Sequence, residues 1–259
     1  QRRSDGNYFT GGGWAAYDAN TSWLAASTTA VTATSGTWNF SNVPAWVHNE
    51  TYYVVSRSSD RAGNVQSSFV VTRDSMTILF DLSAPTATIT NFYVNQTTNY
   101  YNVNFSSMAG TSFDAPAGMA LTEIGISSTV NNDADFAWYD GTAFRASSNT
   151  AGVFIGTQTY AYNASPTVDI WSRTALLPPA NLYAQAQKYK IRIRTTNRAQ
   201  PAPLNTQDFI FTYDTIAPTA TIVSPLHNLS TNYAGLVLSG ASVDTGGVGV
   251  STVQVSIQQ

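Results

Sequence analysis

Apolar and polar residues alternate along this chain in short runs. Lys190-Ile-Arg-Ile-Arg194 is the plainest case: Ile191 and Ile193 fall on one side, Arg192 and Arg194 on the other. A period of two is what a half-buried strand requires, because successive side chains point to opposite faces. Tyr53–Arg57, Ser68–Thr72, Thr86–Thr90, Tyr100–Ser106, Phe209–Tyr213 and Thr252–Ile257 are likewise rich in β-branched and aromatic residues and are expected to be strands. No apolar stripe of helical spacing runs beyond two turns. Turn signals separate the runs: Asp60-Arg-Ala-Gly-Asn64, Asp114-Ala-Pro-Ala-Gly118, Pro178-Pro179 and Asp244-Thr-Gly-Gly247, with Gly11-Gly-Gly13 joining Tyr8-Phe9 to Trp14 as a hairpin. Many short strands with turns between them predict an all-β chain of antiparallel β-sandwiches.

The pattern repeats. Asp81-Leu-Ser-Ala-Pro-Thr-Ala-Thr-Ile89 returns as Asp214-Thr-Ile-Ala-Pro-Thr-Ala-Thr-Ile222. Tyr52–Ala62 aligns without gaps to Tyr189–Ala199, and Ala109-Gly-Thr-Ser-Phe-Asp114 matches Ser239-Gly-Ala-Ser-Val-Asp244. Phe69–Asp74 aligns to Phe209–Asp214, which leaves Ser75–Phe80 as an insertion before the linker. Placing the C-terminus before the N-terminus extends the repeat with no gap: Val253 meets Ile124, Val255 meets Ile126, Tyr8 meets Trp138, Phe9 meets Tyr139, Gly11 meets Gly141 and Trp14 meets Phe144. Residues 83–215 then form one complete repeat, with a surplus around 149–179. Residues 1–82 are the C-terminal part of a split repeat, and residues 216–259 the N-terminal part of the next. Gln1 reads as an internal point of a longer precursor, or as a cut end. Half a repeat cannot bury its own face. Residues 218–259 are therefore expected to complete a sandwich with residues 1–82 of a neighbouring copy along an array, either in a continuous polypeptide of which this is one segment, the favoured route, or between separate subunits that swap strands head to tail. A Thr252–Ile257 segment that hangs free, or that pairs with its own chain's first half, contradicts this.

These motifs resemble those of tandem bacterial immunoglobulin-like repeats. They are Asp-x-x-Ala-Pro-Thr at 81 and 214, Val253-Gln-Val-Ser-Ile257, Ser4-Asp-Gly-Asn-Tyr-Phe9, Tyr53-Val-Val-Ser-Arg57 leading to Asp60-Arg-Ala-Gly-Asn64, and Phe69-Val-Val-Thr72. The resemblance spans nearly the whole chain. Asn197-Arg-Ala-Gln-Pro201 departs from it where Asp60–Asn64 stands in the other copy. It implies immunoglobulin-like sandwiches in a large secreted or surface-displayed protein, and so an extracellular location.

Charge narrows the partners. Charged residues make up 10% of the chain, against about a quarter in most proteins. The net charge is −3, and Lys188 and Lys190 are the two lysines. Nothing here attracts a phosphate backbone, so no nucleic-acid partner is expected. No apolar run approaches 18 residues, so no membrane span is expected either. Without cysteine there is neither a disulfide framework nor a thiolate metal site.

Candidate chemistry is thin. Val243-Asp-Thr-Gly246 has the triplet of an aspartic protease, but that mechanism needs two carboxylates sharing a proton, and Asp114, the repeat partner of Asp244, is followed by Ala-Pro. Asp244 reads as a turn residue. Asn131–Asp135 opens like a calcium loop, but Phe136 and Thr142 stand where glycine and a bidentate glutamate are needed. Asp60, Asp81 and Asp214 lie near the expected inter-domain corners without forming a six-oxygen cage. His48 and His227 share no motif with each other. Six sequons, at Asn20, Asn39, Asn49, Asn95, Asn104 and Asn228, suit a Ser/Thr/Asn-rich composition. Trp14, Trp23, Trp38, Trp46, Trp138 and Trp171 are read as core or interface residues rather than sugar platforms. Arg57 and Arg194 recur at matching positions and are read as covers over aromatic surface. No catalytic, cofactor-binding or metal residue is assigned, and no enzyme activity is expected. The expected role is structural: a repeat unit of an extracellular self-associating array or filament, with copies head to tail. The alternatives are a spacer or adhesive module of a giant surface adhesin, and a carbohydrate-binding module of a secreted hydrolase. Cell-surface glycans are the second candidate partner.

Overall fold

The structure, a computed structural model, describes residues 1–29, 35–91, 100–102, 106–130, 135–146, 154–159, 168–199, 202, 204–228, 230 and 235–258. Among these the chain is all-β, with one turn of 3-10 helix at Ala180–Leu182. The first 80 residues give β1 (Tyr8–Phe9), β2 (Trp14–Ala15), β3 (Ser27–Thr29), β4 (Thr37–Asn39), β5 (Glu50–Val55) and β6 (Ser75–Phe80). These pair as three separate antiparallel hairpins, β1–β2, β3–β4 and β5–β6. The centre gives β7 (Thr86–Ile89), β8 (Tyr100–Tyr101), β9 (Met108–Phe113), β10 (Met119–Val130), β11 (Asp135–Tyr139), β12 (Phe144–Ala146), β13 (Ile155–Gly156), β14 (Gln158–Thr159), β15 (Asp169–Arg173), β16 (Gln187–Asn197) and β17 (Leu204–Tyr213). The last part is one hairpin, β18 (Thr219–Ser224) with β19 (Ser239–Val243).

The central strands make two layers. One sheet runs β14-β15-β9-β7; the other runs β12-β11-β10-β16-β17-β8, with β13 on β10. Ala87, Ile89, Met108 and Trp171 from the first sheet pack with Ile124, Ile126, Tyr189, Ile191, Ile193 and Phe211 from the second. Full burial of such side chains is worth about 1.5–3 kcal/mol each. Strand alternation therefore does here what the sequence implies: Ile191 and Ile193 are inside, while Arg192 pairs with Asp208 outside through two bonds of 2.6 and 2.7 Å. Trp171 lies flat on β9 because Gly110 has no side chain. A Cβ there would come within 2.3 Å of the indole and 1.9 Å of the Thr88 carbonyl.

Each hairpin outside the centre keeps the register of its sequence match. Phe9 faces Trp14 as Tyr139 faces Phe144. Thr28 faces Trp38 as Thr159 faces Trp171. Ala220 faces Ser242 and Ile222 faces Gly240, as Ala87 faces Ser112 and Ile89 faces Gly110. The start of β5 copies the start of β16 in backbone detail. Asn49 and Ala186 both have positive φ (62° and 56°), and each donates its N–H over 2.9 Å, to Phe80 O and Tyr213 O respectively.

The structure corrects several expectations. Ser68–Thr72 is not a strand; the partner of β5 is Ser75–Phe80, with Tyr52 opposite Ile78. The apparent insertion is therefore the true counterpart of Phe209–Tyr213, whose Phe211 faces Tyr189. Similarity of Phe69–Thr72 to Phe209–Thr212 misleads because both are apolar runs with an aspartate two residues after the threonine, Asp74 and Asp214. The linker motif itself aligns Ile78 with Phe211. The strand expected over Tyr100–Ser106 is described only at Tyr100–Tyr101, which pairs in parallel with the end of β17. Residues 103–105 lie outside the described residues, as do 131–134 of the calcium-like loop, the sequons at Asn95 and Asn104, and parts of 149–179. Finally, Thr252–Ile257 forms no strand and is exposed. A strand needs a partner for its N–H and C=O groups. Among the described residues no strand pairs with it, from its own first half or elsewhere.

Candidate functional site

Two features stand apart from ordinary packing: uncovered sheet faces at both ends of the chain, and aspartate pairs at the two linkers.

The uncovered faces follow from the matching registers. Trp171 is 0% exposed in the centre, whereas Trp38, its match on β4, is 57% exposed. Ile89 is 7% exposed and its match Ile222 is 67%. Leu238, Val243, Val253, Val255 and Ile257 are exposed as well. The same residue types in the same hairpins are core in one place and surface in the other. The N-terminal hairpins carry part of a core already. Tyr52 is buried, with Trp14 at 5.6 Å and Trp46 edge-on at 4.8 Å.

The remaining aromatic residues take the places expected for packing. Arg57 lies 3.9 Å over Trp23, and its match Arg194 lies 4.2 Å over Phe154 while bonding Glu123 at 2.7 Å. Both are covers on aromatic surface, as their recurrence implies. Trp138 and Trp171 are buried, and Trp38 is the one exposed tryptophan. Trp14 and Trp46 both pack on Tyr52, and Trp23 stacks on Phe69.

At the first linker, Asp81 and Asp114 come together, both buried. The Ser83 hydroxyl donates to Asp81, and it also lies 3.2 Å from Asp114 Oδ1. Ala117 N–H (3.1 Å) and Asn197 Nδ2 (3.2 Å) donate to Asp81 Oδ2. Burial works against the Asp81 carboxylate, but the bonds from Ser83 and Ala117 outweigh it and hold its pKa below the usual value. Burial, together with the charge of Asp81, pushes Asp114 up. His48 Nδ1 accepts the Leu82 N–H at 3.1 Å and lies 3.4 Å from Asp81. At the second linker Asp214 accepts Ile216 and Val248 N–H groups, and Asp244 accepts the Gly249 N–H at 2.7 Å. Asp114 Oδ2 and Asp244 Oδ1 are both buried without a hydrogen-bond partner. Asp244 thus closes its own turn on Gly249, next to the Val248 N–H that Asp214 accepts.

The structure does not bring Asp60 to these corners. It closes its own turn, accepting Asn64 N–H and Nδ2 at 2.8 and 2.7 Å. Asn197, its sequence match, takes the place beside Asp81 instead. Sequence reading singled out Asp60, Asp81 and Asp214 but missed that Asp114 and Asp244 are their partners. The signal was present: each closes a Gly-x-Ser-x-Asp motif after its linker. Among the described residues no group of three or more His, Cys, Asp or Glu side chains could hold a metal ion, and no helix is long and apolar enough to cross a membrane.

No protein-family model, no curated protein and no solved structure matches this chain.

Proposed function

We propose that this chain is a structural repeat unit of an extracellular, self-associating array or filament, with immunoglobulin-like sandwiches joined head to tail. One observation carries the reading. The hairpins at the two ends keep the registers of the central two-sheet body, while Trp38 and Ile222, whose matches Trp171 and Ile89 are core in that body, lie exposed in them. Matching parts built to the same register and left uncovered are parts of one sandwich distributed between copies.

The immunoglobulin-like assignment rests on strand order and on one corner. The β7-β9-β15-β14 sheet facing β10-β16-β17 has the partition of an immunoglobulin constant-type domain, with β11 and β12 added at one edge. Tyr189, near the start of β16, accepts a hydrogen bond from a backbone N–H five residues upstream, the tyrosine corner of that fold. Thr252–Ile257 is free in the single chain, the outcome named above as counting against the array; a single chain offers no second copy, so the reading depends on pairing in the assembled material. The assembled material decides whether it stays free.

Electron microscopy of the native material tests the reading. A filament or sheath with an axial repeat of two sandwich domains is the expected image. Isolated particles bearing this chain as a flexible stalk would favour the adhesin-spacer alternative and overturn the array.

A further inference from the structure

We infer that residues 218–257 of one copy fill two open sheet edges in residues 1–82 of a second copy, with Ile257 seated opposite Val54 and Gly240 opposite Trp38. This deepens the array reading and rests on it for the identity of the partner.

The donor register comes from two anchors. In the centre, Ala117 N–H donates to Asp81 Oδ2 (3.1 Å), Gly118 turns the chain with φ of 76°, and β10 begins at Met119. After β19, Val248 N–H donates to Asp214 Oδ2 (2.9 Å) and Gly249 turns the chain with φ of 105°. Superposing the two turns sets Val250, Val253, Val255 and Ile257 on Met119, Thr122, Ile124 and Ile126. All four of those are buried. Gln254 then matches Glu123, on the outer side. This register differs by two residues from the gapless pairing of the chain ends, which set Val253 on Ile124. That pairing counted residues through a turn that is one residue longer after Asp244 than after Asp114, and through the hairpin leading to Tyr8.

The acceptor edge is β5. In the centre β10 pairs antiparallel with β16, Ile124 facing Ile193 and Ile126 facing Ile191. The tyrosine corner and the β6 register set β5 on β16, so Val54 and Ser56 take the places of Ile191 and Ile193. One edge of β5 is taken by β6. The other is held only by the first residues of the chain: Tyr53 N–H donates to Gln1 O and Arg3 N–H to Thr51 O, each at 2.8 Å. Beyond Tyr53 no described strand pairs with that edge. The incoming strand therefore ends against Gln1, placing Val255 opposite Ser56 and Ile257 opposite Val54, and Ile257 is its last paired residue because Gln1 holds the place opposite Tyr53.

The second edge is β4. In the centre β15 is flanked by β14 and β9, and Trp171 faces Gly110 across the latter pairing. β4 has its β3 neighbour but, among the described strands, no counterpart of β9. That counterpart is β19, where Gly240 matches Gly110 and leaves the flat space that an indole needs. One donor thus satisfies both edges, covers Trp38 and buries Ile222, Val255 and Ile257 together.

The chain has no cysteine, so single introduced cysteines report contacts between copies without interference. Chains carrying Val54→Cys are mixed with chains carrying Ile257→Cys, Val255→Cys or Val253→Cys and oxidised. A disulfide requires Cα atoms about 4.4–6.8 Å apart, and each residue along a strand adds about 3.3 Å. The expected result is a mixed dimer with Ile257→Cys and its loss with Val253→Cys. Equal yields from all three, a maximum at Val253→Cys or Val255→Cys, or no mixed dimer overturns the inference. Sedimentation of the unsubstituted chain gives an independent reading: mass rises with concentration, and Ile257→Asp abolishes the rise while the far-ultraviolet spectrum is kept. A folded chain that stays monomeric at high concentration also overturns it. Mixed dimers in this register without filaments in native material leave the strand pairing standing and the array reading overturned; filaments without the cross-link do the reverse.

Discussion

Tyr52 and Tyr189 make the same corner in different parts of the chain. The Val47 N–H donates to Tyr52 Oη over 2.9 Å, and the Ala184 N–H donates to Tyr189 Oη over 2.7 Å. Each phenol reaches back five residues to hold the loop that leads into its strand, and each ring is buried at the foot of that strand. A corner of this kind fixes where the strand begins, and with it the register of every pair that follows.

Tyr189→Phe keeps the ring and removes the hydroxyl, leaving the Ala184 N–H without its acceptor. The expected cost is about 1–2 kcal/mol of stability for the central body. Urea unfolding should show a lower midpoint with an unchanged slope, because the buried area is the same. A midpoint identical to the parent protein would mean that the corner is decoration and that packing alone sets the register.

How much of this was legible in the sequence depends on what each signal measures. Alternation at Ile191 and Ile193 reports a strand with one buried face, and the structure buries both. The Ala-Pro-Thr-Ala-Thr-Ile copies report a recurring β-hairpin, and β7–β9 and β18–β19 share one register. Pairing partners are less visible. Ser68–Thr72 and Ser75–Phe80 are both apolar runs of strand length, and only the shared offset from the Asp81 linker tells that Ile78, not Val71, stands for Phe211. The Asp81–Asp114 contact was hidden for a different reason. It joins residues from two turns, and contact between turns has no periodic signature. The exposure of Thr252–Ile257 was not readable in the sequence, because an apolar pattern specifies a face and not what covers it.

The aspartate pair makes the central body sensitive to pH in two opposing ways. Asp81 has its pKa lowered by folding, so its contribution is present above the ordinary carboxylate range and is lost as pH falls through its folded value. Asp114 has its pKa raised by burial and by Asp81, so its charged form is penalised. The stability it confers when protonated is present below the ordinary carboxylate range and is lost as pH rises through the folded value. Asp114→Asn retains an acceptor for Ser83 and removes the charge. The stability of the variant relative to the parent should be flat in strong acid, rise as pH climbs past the carboxylate range, and then level off at neutral pH in favour of the variant. Melting temperatures across that range measure it. A variant that loses stability steadily towards neutral pH would show that ionised Asp114 is stabilising, through a partner such as a bound cation.

The assignment of β6 separates two residues that sequence similarity confuses. Ile78 faces Tyr52 across the β5–β6 pair and is half-buried, whereas Val71 is exposed and lies in the loop before β6. Ile78→Asn puts an amide against the ring of a buried tyrosine and removes apolar contact. A cost of about 1–3 kcal/mol is expected wherever residues 1–82 are folded. Val71→Asn changes a solvent-facing side chain and should stay within about 0.5 kcal/mol of the parent. Amide exchange adds a second reading, since Tyr52 and Val54 are paired to Ile78 and Met76. Slow exchange at Ile78 and Met76, with Ser68 and Phe69 exchanging at once, follows from this pairing. The opposite ranking of the two variants, with Val71→Asn the costly one, would restore Ser68–Thr72 as the strand. It would also move the matching register of Phe211 back onto Val71, and with it the seat of Ile257 opposite Val54.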